Sequence, residues 1–193
     1  MRLNLANIFS LLRIVLSPLF FFLLIFGNNT GIAIAAILFF IAALTDYFDG
    51  WVARKYHEVT KTGKFIDPLA DKFLTSFAFV AFAIMDILPW WMVIVIILRD
   101  MITTLMRLFQ GYGKFRIKTS WPAKTKTFIQ MFFIAFLMIL LLLKSVFHDQ
   151  DIGSFIDNIL YSDYIYYTML FITLLTIWTA IEYFFQNKSL KKA

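Results

Sequence analysis

The chain has 193 residues, of which 61% are hydrophobic and 19% aromatic, and its mean hydropathy is +0.79. A water-soluble domain is nearer about 45–50% apolar, so a soluble globule of this length is excluded and lipid is the expected solvent. Having no Cys, the chain can form neither disulfides nor thiolate metal sites; its net charge of +6 points to anionic lipids, with no nucleic-acid partner expected.

Six apolar stretches appear, roughly Ile8–Phe26, Ile32–Leu44, Phe73–Met85, Leu88–Leu98, Phe128–Leu143 and Tyr164–Ile181. They predict an all-α membrane protein with six transmembrane helices in a single domain. The segment Met1 to Asn7 leads into the first run without a small-residue cleavage site, so a retained first helix is expected rather than a cleaved signal. With a cytoplasmic N-terminus, residues 27–31, 86–87 and 144–163 face outward. Of the 18 Lys and Arg, only Lys144 then lies outside, beside Asp86, Asp149, Asp151, Asp157 and Asp163. That asymmetry puts both termini in the cytoplasm.

The first helix opens on Asn7-x-x-Ser10-x-x-Arg13. Asn7 or Ser10 would serve as an N-cap, and Arg13 would snorkel to the interface. Pro18 should kink the helix, and Gly27 to Gly31 reads as a short outer turn. The second helix has only thirteen apolar residues, Ile32–Leu44, before Thr45 and Asp46. That run spans about 20 Å, against a hydrocarbon core of about 30 Å. The third helix has a similar shortfall. Both deficits fall on the cytoplasmic side, so the polar ends of these helices should line a water-filled cavity below the bilayer surface.

Those ends carry Asp46 and Asp49, then Asp67 and Asp71. Spacings of three and four place each pair on one helix face. One acid at the centre of a membrane helix costs about 3 kcal/mol, so four cost on the order of 10 unless compensated. Divalent cations are the simplest compensation, since hard cations take oxygen ligands and complete their shell with substrate phosphates. Gly50 and Ala53 allow a ligand close to the backbone, and Arg54 can fork onto a phosphate. Gly63 suits a tight turn, and Pro68 a first helical turn. The competing reading is a set of salt bridges to Arg54, Lys64 and Lys72. His57 and Glu58 read as solvated loop residues.

The pattern Asp-x2-Asp-Gly-x2-Ala-Arg-x8-Gly-x3-Asp-x3-Asp resembles the signature of the CDP-alcohol phosphatidyltransferases, matched at Asp46, Asp49, Gly50, Ala53, Arg54, Gly63, Asp67 and Asp71. The resemblance implies that family's fold and a homodimer with an active site open to the cytoplasm. It also implies transfer of a phosphatidyl group from CDP-diacylglycerol to an alcohol, releasing CMP. Asp46, Asp49, Asp67 and Asp71 would then bind two divalent cations, Mg²⁺ or Mn²⁺, with Asp71 the catalytic base. Asn7, Ser10, Asp46, Gly50, Ala53 and Arg54 would contact the CDP moiety.

The fourth helix ends its apolar run at Arg99-Asp100, with Arg107 two turns on; Asp100 could simply be ion-paired. A polar connection, Gly111 to Lys118, precedes Ser120-Trp-Pro-Ala-Lys124-Thr-Lys126-Thr127 and the fifth helix. Arg99, Arg107, Lys124 and Lys126 bring cations to the acidic cavity, a suitable pocket for an anionic acceptor, although ordinary inner-loop charge would look the same. Within the family, Ser120 to Met131 resembles bacterial phosphatidylglycerophosphate synthases, with Ala123 where many carry Gly. The implied acceptor is sn-glycerol 3-phosphate, its phosphate held by Arg99, Arg107, Lys124 and Lys126. Inositol phosphate, a lipid or another alcohol is the alternative acceptor. A divalent-cation transporter or a non-catalytic scaffold is the alternative class, and the one-sided clustering of the acids argues against the transporter. Residues 144–163, with His148, read as a solvated cap with a short interfacial helix. No catalytic role is assigned to Glu182.

Overall fold

The computed structural model describes residues 5–56, 63–110, 121–147 and 150–190. They form seven helices: α1 (Leu5–Phe26), α2 (Asn29–Tyr56), α3 (Gly63–Ile84), α4 (Trp90–Gln110), α5 (Trp121–Val146), α6 (Gln150–Leu160) and α7 (Asp163–Leu190). No strand occurs among the described residues. The six long helices coincide with the six apolar stretches, except that Met85, Leu88 and Pro89 fall in the α3–α4 connection, and α6 is the short helix expected within residues 144–163. Lys124–Val146 and Asp151–Tyr183 are long and apolar enough to cross a membrane, and Ser10–Phe26 and Asn29–Thr45 are shorter apolar helices.

Three local expectations change. The turn foreseen at Gly27 to Gly31 shrinks, because Asn28 caps α2: its Oδ1 accepts from Gly31 N at 3.0 Å. A side-chain acceptor at that position satisfies an orphan donor and lets the helix begin earlier. Pro68 stands in the second turn of α3 rather than the first. Arg13 does not snorkel, since it is buried at 1% exposure.

Packing runs between neighbours in space. α1 lies along α2 and α3, α2 along α5, α3 on α4, α4 on α7, and α5 on α6 and α7. Buried Ala35, Ala36, Ala42, Ala78, Ala81 and Ala83 keep the backbones close, as membrane helices require when the surrounding solvent offers no hydrophobic drive. Phe20 meets Phe39 edge-on at 5.8 Å and Phe21 meets Phe77 at 5.4 Å, filling the α1–α2 and α1–α3 seams. Large apolar side chains such as Phe128, Phe132, Tyr164 and Trp178 point outward, a surface suited to lipid rather than water.

The connection from α3 to α4 is a Schellman turn. Asp86 adopts φ 57°, Asp86 N donates to Ala83 O at 3.2 Å, and Ile87 N donates to Phe82 O at 3.0 Å. Tyr161 donates its hydroxyl to Met85 O at 3.2 Å, tying this turn to the α6–α7 corner. Beside that corner Lys144 of α5 pairs with Asp157 of α6 at 2.5 Å.

Gly27 closes the α1–α2 turn, where a Cβ would lie 2.2 Å from Leu23 O and 2.9 Å from Gly31 Cα. Gly27→Ala is therefore expected to destabilise by about 1–3 kcal/mol through backbone strain. Gly153 of α6 has nothing within 4 Å of an added methyl, so Gly153→Ala should stabilise by about 0.5–1 kcal/mol. Thermal unfolding of both variants in detergent tests the pair, and equal Tm values would reject the steric account.

Candidate active site

The eight motif positions fall on two helices. Asp46, Asp49, Gly50, Ala53 and Arg54 occupy the C-terminal turns of α2, and Gly63, Asp67 and Asp71 the N-terminal turns of α3. The side chains of Asn7, Asp46, Asp49, Ala53, Arg54, Asp67 and Arg107 lie outside the described residues, as do His57, Glu58 and the whole connection from Gly111 to Lys118. Ser10 and Asp71 are described. Ser10 is buried on α1, the helix that packs along both motif helices. Asp71 keeps 28% of its side chain exposed. Because α1 and α3 start where α2 ends, helix alternation gathers these residues at one end of the bundle.

Beside Asp71 a buried ionic cluster joins four helices. Asp100 of α4, 4% exposed, is its centre. Its Oδ1 accepts from Arg99 Nη1 at 3.0 Å and also from Lys126 Nζ of α5. Its Oδ2 accepts from Lys72 Nζ of α3 at 3.3 Å. Arg99 Nη2 donates to Thr179 Oγ1 of α7 at 2.7 Å. Lys72 Nζ lies 4.0 Å from Asp71 Oδ2, so one ammonium bridges the acidic motif and the basic cluster. Three cations thus share a single central carboxylate, and the cluster carries more positive than negative charge.

Of the four expected acceptor cations, Arg99 and Lys126 meet in this cluster. Lys124 is exposed, two residues and therefore about 200° around α5 from Lys126, and does not join it. The pairing foreseen for Asp100 is present, and Lys72, read from sequence only as a structural salt-bridge partner, belongs to the basic face. Sequence reading missed Thr179. Its signal was the polar stripe Thr173, Thr176 and Thr179 at spacings of three in an otherwise apolar helix, all three buried. Thr179 donates to Leu175 O at 3.0 Å, which leaves its oxygen to accept from Arg99.

A profile of CDP-alcohol phosphatidyltransferases matches residues 3–181. A probable phosphatidylglycerophosphate synthase of Mycobacterium tuberculosis (strain CDC 1551 / Oshkosh) is 39% identical over 130 residues, covering 66% of this chain and 62% of its own length. The match therefore spans under two thirds of that relative. A CDP-diacylglycerol–glycerol-3-phosphate 3-phosphatidyltransferase of Rickettsia typhi (strain ATCC VR-144 / Wilmington) is 33% identical over 182 residues, covering 94% of this chain and 95% of the relative. One of the same description from Bacillus subtilis (strain 168) is 40% identical over 149 residues, covering 70% and 77%. A profile match across nearly the whole chain, with the complete motif on two adjoining helices, places this chain in the CDP-alcohol phosphatidyltransferase family.

Proposed function

We propose that the chain transfers the phosphatidyl group of CDP-diacylglycerol to sn-glycerol 3-phosphate, giving phosphatidylglycerol phosphate and CMP. The observation that carries this reading is the seat of Asp71 beside a basic face, 4.0 Å from Lys72 and linked through Asp100 to Arg99 and Lys126. A small acceptor with a hydroxyl at one end and a phosphate at the other fits that pair of environments. The names of the relatives from Rickettsia typhi and Bacillus subtilis state the same donor and acceptor for those proteins.

In the mechanism, the acyl chains of the donor stay in lipid while its head enters the end of the bundle. Asn7, Ser10, Asp46, Gly50, Ala53 and Arg54 bind the CDP moiety. Arg99 and Lys126 hold the acceptor phosphate, with Arg107 on the same helix as Arg99, while Lys124, on the other side of α5, is left out of that pocket. Asp71 removes the proton of the acceptor hydroxyl. The hydroxyl oxygen bonds to the phosphorus bearing diacylglycerol, and the bond from that phosphorus to CMP breaks. Asp46, Asp49, Asp67 and Asp71 supply only carboxylate oxygens, at i,i+3 and i,i+4 on adjoining helix ends, a donor set that fits hard divalent cations. When bound, two ions of Mg²⁺ or Mn²⁺ would neutralise the diphosphate and stabilise the leaving CMP. The family's membrane setting is read here as six spans in one domain, with both termini and the site on the cytoplasmic side of a bacterial cell membrane and two copies forming a homodimer.

Purified protein given CDP-diacylglycerol, Mg²⁺ and a panel of acceptor alcohols should release CMP fastest with sn-glycerol 3-phosphate, and preference for inositol phosphate would overturn the acceptor. Asp71→Asn should lower turnover by about 10²–10⁴-fold while CDP-diacylglycerol still binds; full activity removes Asp71 as the base. Chelation with EDTA should abolish CMP release, with recovery on adding Mg²⁺ or Mn²⁺, and activity that survives exhaustive chelation would reject the metal requirement.

A further inference from the structure

We propose that Asp100 is a positioning residue, which holds Lys72, Arg99 and Lys126 together as one preformed face for the acceptor phosphate, and that Lys72 is a contact of that phosphate. The inference rests on the reading of glycerol 3-phosphate as acceptor.

The three cations come from three helices, and like charges in a poorly solvated space repel one another. Asp100 sets their convergence. One of its oxygens serves Arg99 and Lys126, and the other serves Lys72. Lys126 is 1% exposed, while Lys72 and Arg99 keep 15% and 12% of their side chains exposed, so the face opens on the Lys72–Arg99 side. Among the described residues, Arg99 Nε and Gln130 Nε2 are buried donors with no hydrogen-bond partner. Gln130 sits four residues beyond Lys126 on the same face of α5, deeper in the bundle, and Arg99 Nε, within the cluster itself, is the donor left for an oxygen-rich ligand. Thr179 fixes the far side of the Arg99 guanidinium, so Arg99 is oriented from two directions. Lys72, one residue after Asp71, ties the distance between the phosphate face and the base.

Asp100 itself is an anion and would not touch an anionic acceptor. Its removal should act on acceptor binding through the cations. Asp100→Asn keeps the size and loses the charge, Asp100→Glu keeps the charge, and Lys72→Gln removes one contact. In CMP-release assays the Asn variant should raise the KM for glycerol 3-phosphate at least tenfold while changing the KM for CDP-diacylglycerol less than twofold. The Glu variant should recover most of that loss, and Lys72→Gln should raise the same KM about tenfold. Thermal unfolding in detergent, with a Tm close to that of the unaltered protein, confirms that each variant is folded. A folded Asp100→Asn enzyme with an unchanged KM for glycerol 3-phosphate, or one that loses both substrates equally, overturns the positioning role. If the unaltered protein releases no CMP with glycerol 3-phosphate, the acceptor reading itself fails, and that outcome is separate from any behaviour of the variants.

Discussion

The constraint on which the arrangement depends is the burial of one carboxylate among three cations where α3, α4, α5 and α7 meet. An ion withdrawn from water loses several kcal/mol of solvation, and only close, well-oriented partners restore it. Asp100 has three such partners on three helices, and Arg99 carries the network to a fourth. Displacing α3, α4 or α5 at this end separates Asp100 from a cation, and displacing α7 removes the hydroxyl that accepts from Arg99. Lys144 and Asp157 at the opposite end make an equally direct contact, but with 41% and 39% of their side chains exposed. Such pairs contribute only about 0–1 kcal/mol. There the structure relies on the Schellman turn, on Tyr161 bonded to Met85 O, and on apolar packing.

The two ends of the bundle therefore do different work with the same building blocks. Small residues and phenylalanines seal the middle, and nothing in that core of Ala35, Ala36, Phe39, Ala78 and Phe82 can bind a polar ligand. Towards the motif end the interior becomes polar: Ser10, Arg13, Asp100, Thr103, Lys126 and Gln130 are all buried. Charges placed inside a membrane bundle are expensive and tend to mark the path or seat of a ligand. A donor with acyl chains in lipid and a charged head needs this kind of boundary.

Much of this was legible in the sequence, for a physical reason. The motif occupies 26 consecutive residues, and its spacings follow the helical period, so Asp46 with Asp49 and Asp67 with Asp71 could be placed on common faces without coordinates. The six apolar stretches likewise gave the six long helices. Boundaries were less legible. Asn28 extended α2 backward by a side-chain cap, a contact worth a fraction of the helix but decisive for where it begins. Arg13 read as an interfacial cation because a single Arg near a helix end usually snorkels. Its burial depends on α1 being covered by two other helices, which no local pattern records.

The basic face was the least legible part, and its construction explains why. Lys72, Arg99, Lys126 and Thr179 are far apart in sequence and each stands as one polar residue near the end of an apolar helix. Inner-loop charge required by topology produces the same one-dimensional signal. Only tertiary packing separates Lys126, buried against Asp100, from Lys124, exposed two residues away. The same construction separates two properties of the site. The acidic motif lies on α2 and α3 alone, whereas the basic cluster draws most of its groups from α4, α5 and α7. Substitutions on those three helices can change the basic cluster while leaving the motif intact. Under the proposed reaction, the motif would serve the donor and the packing of the later helices would serve the acceptor.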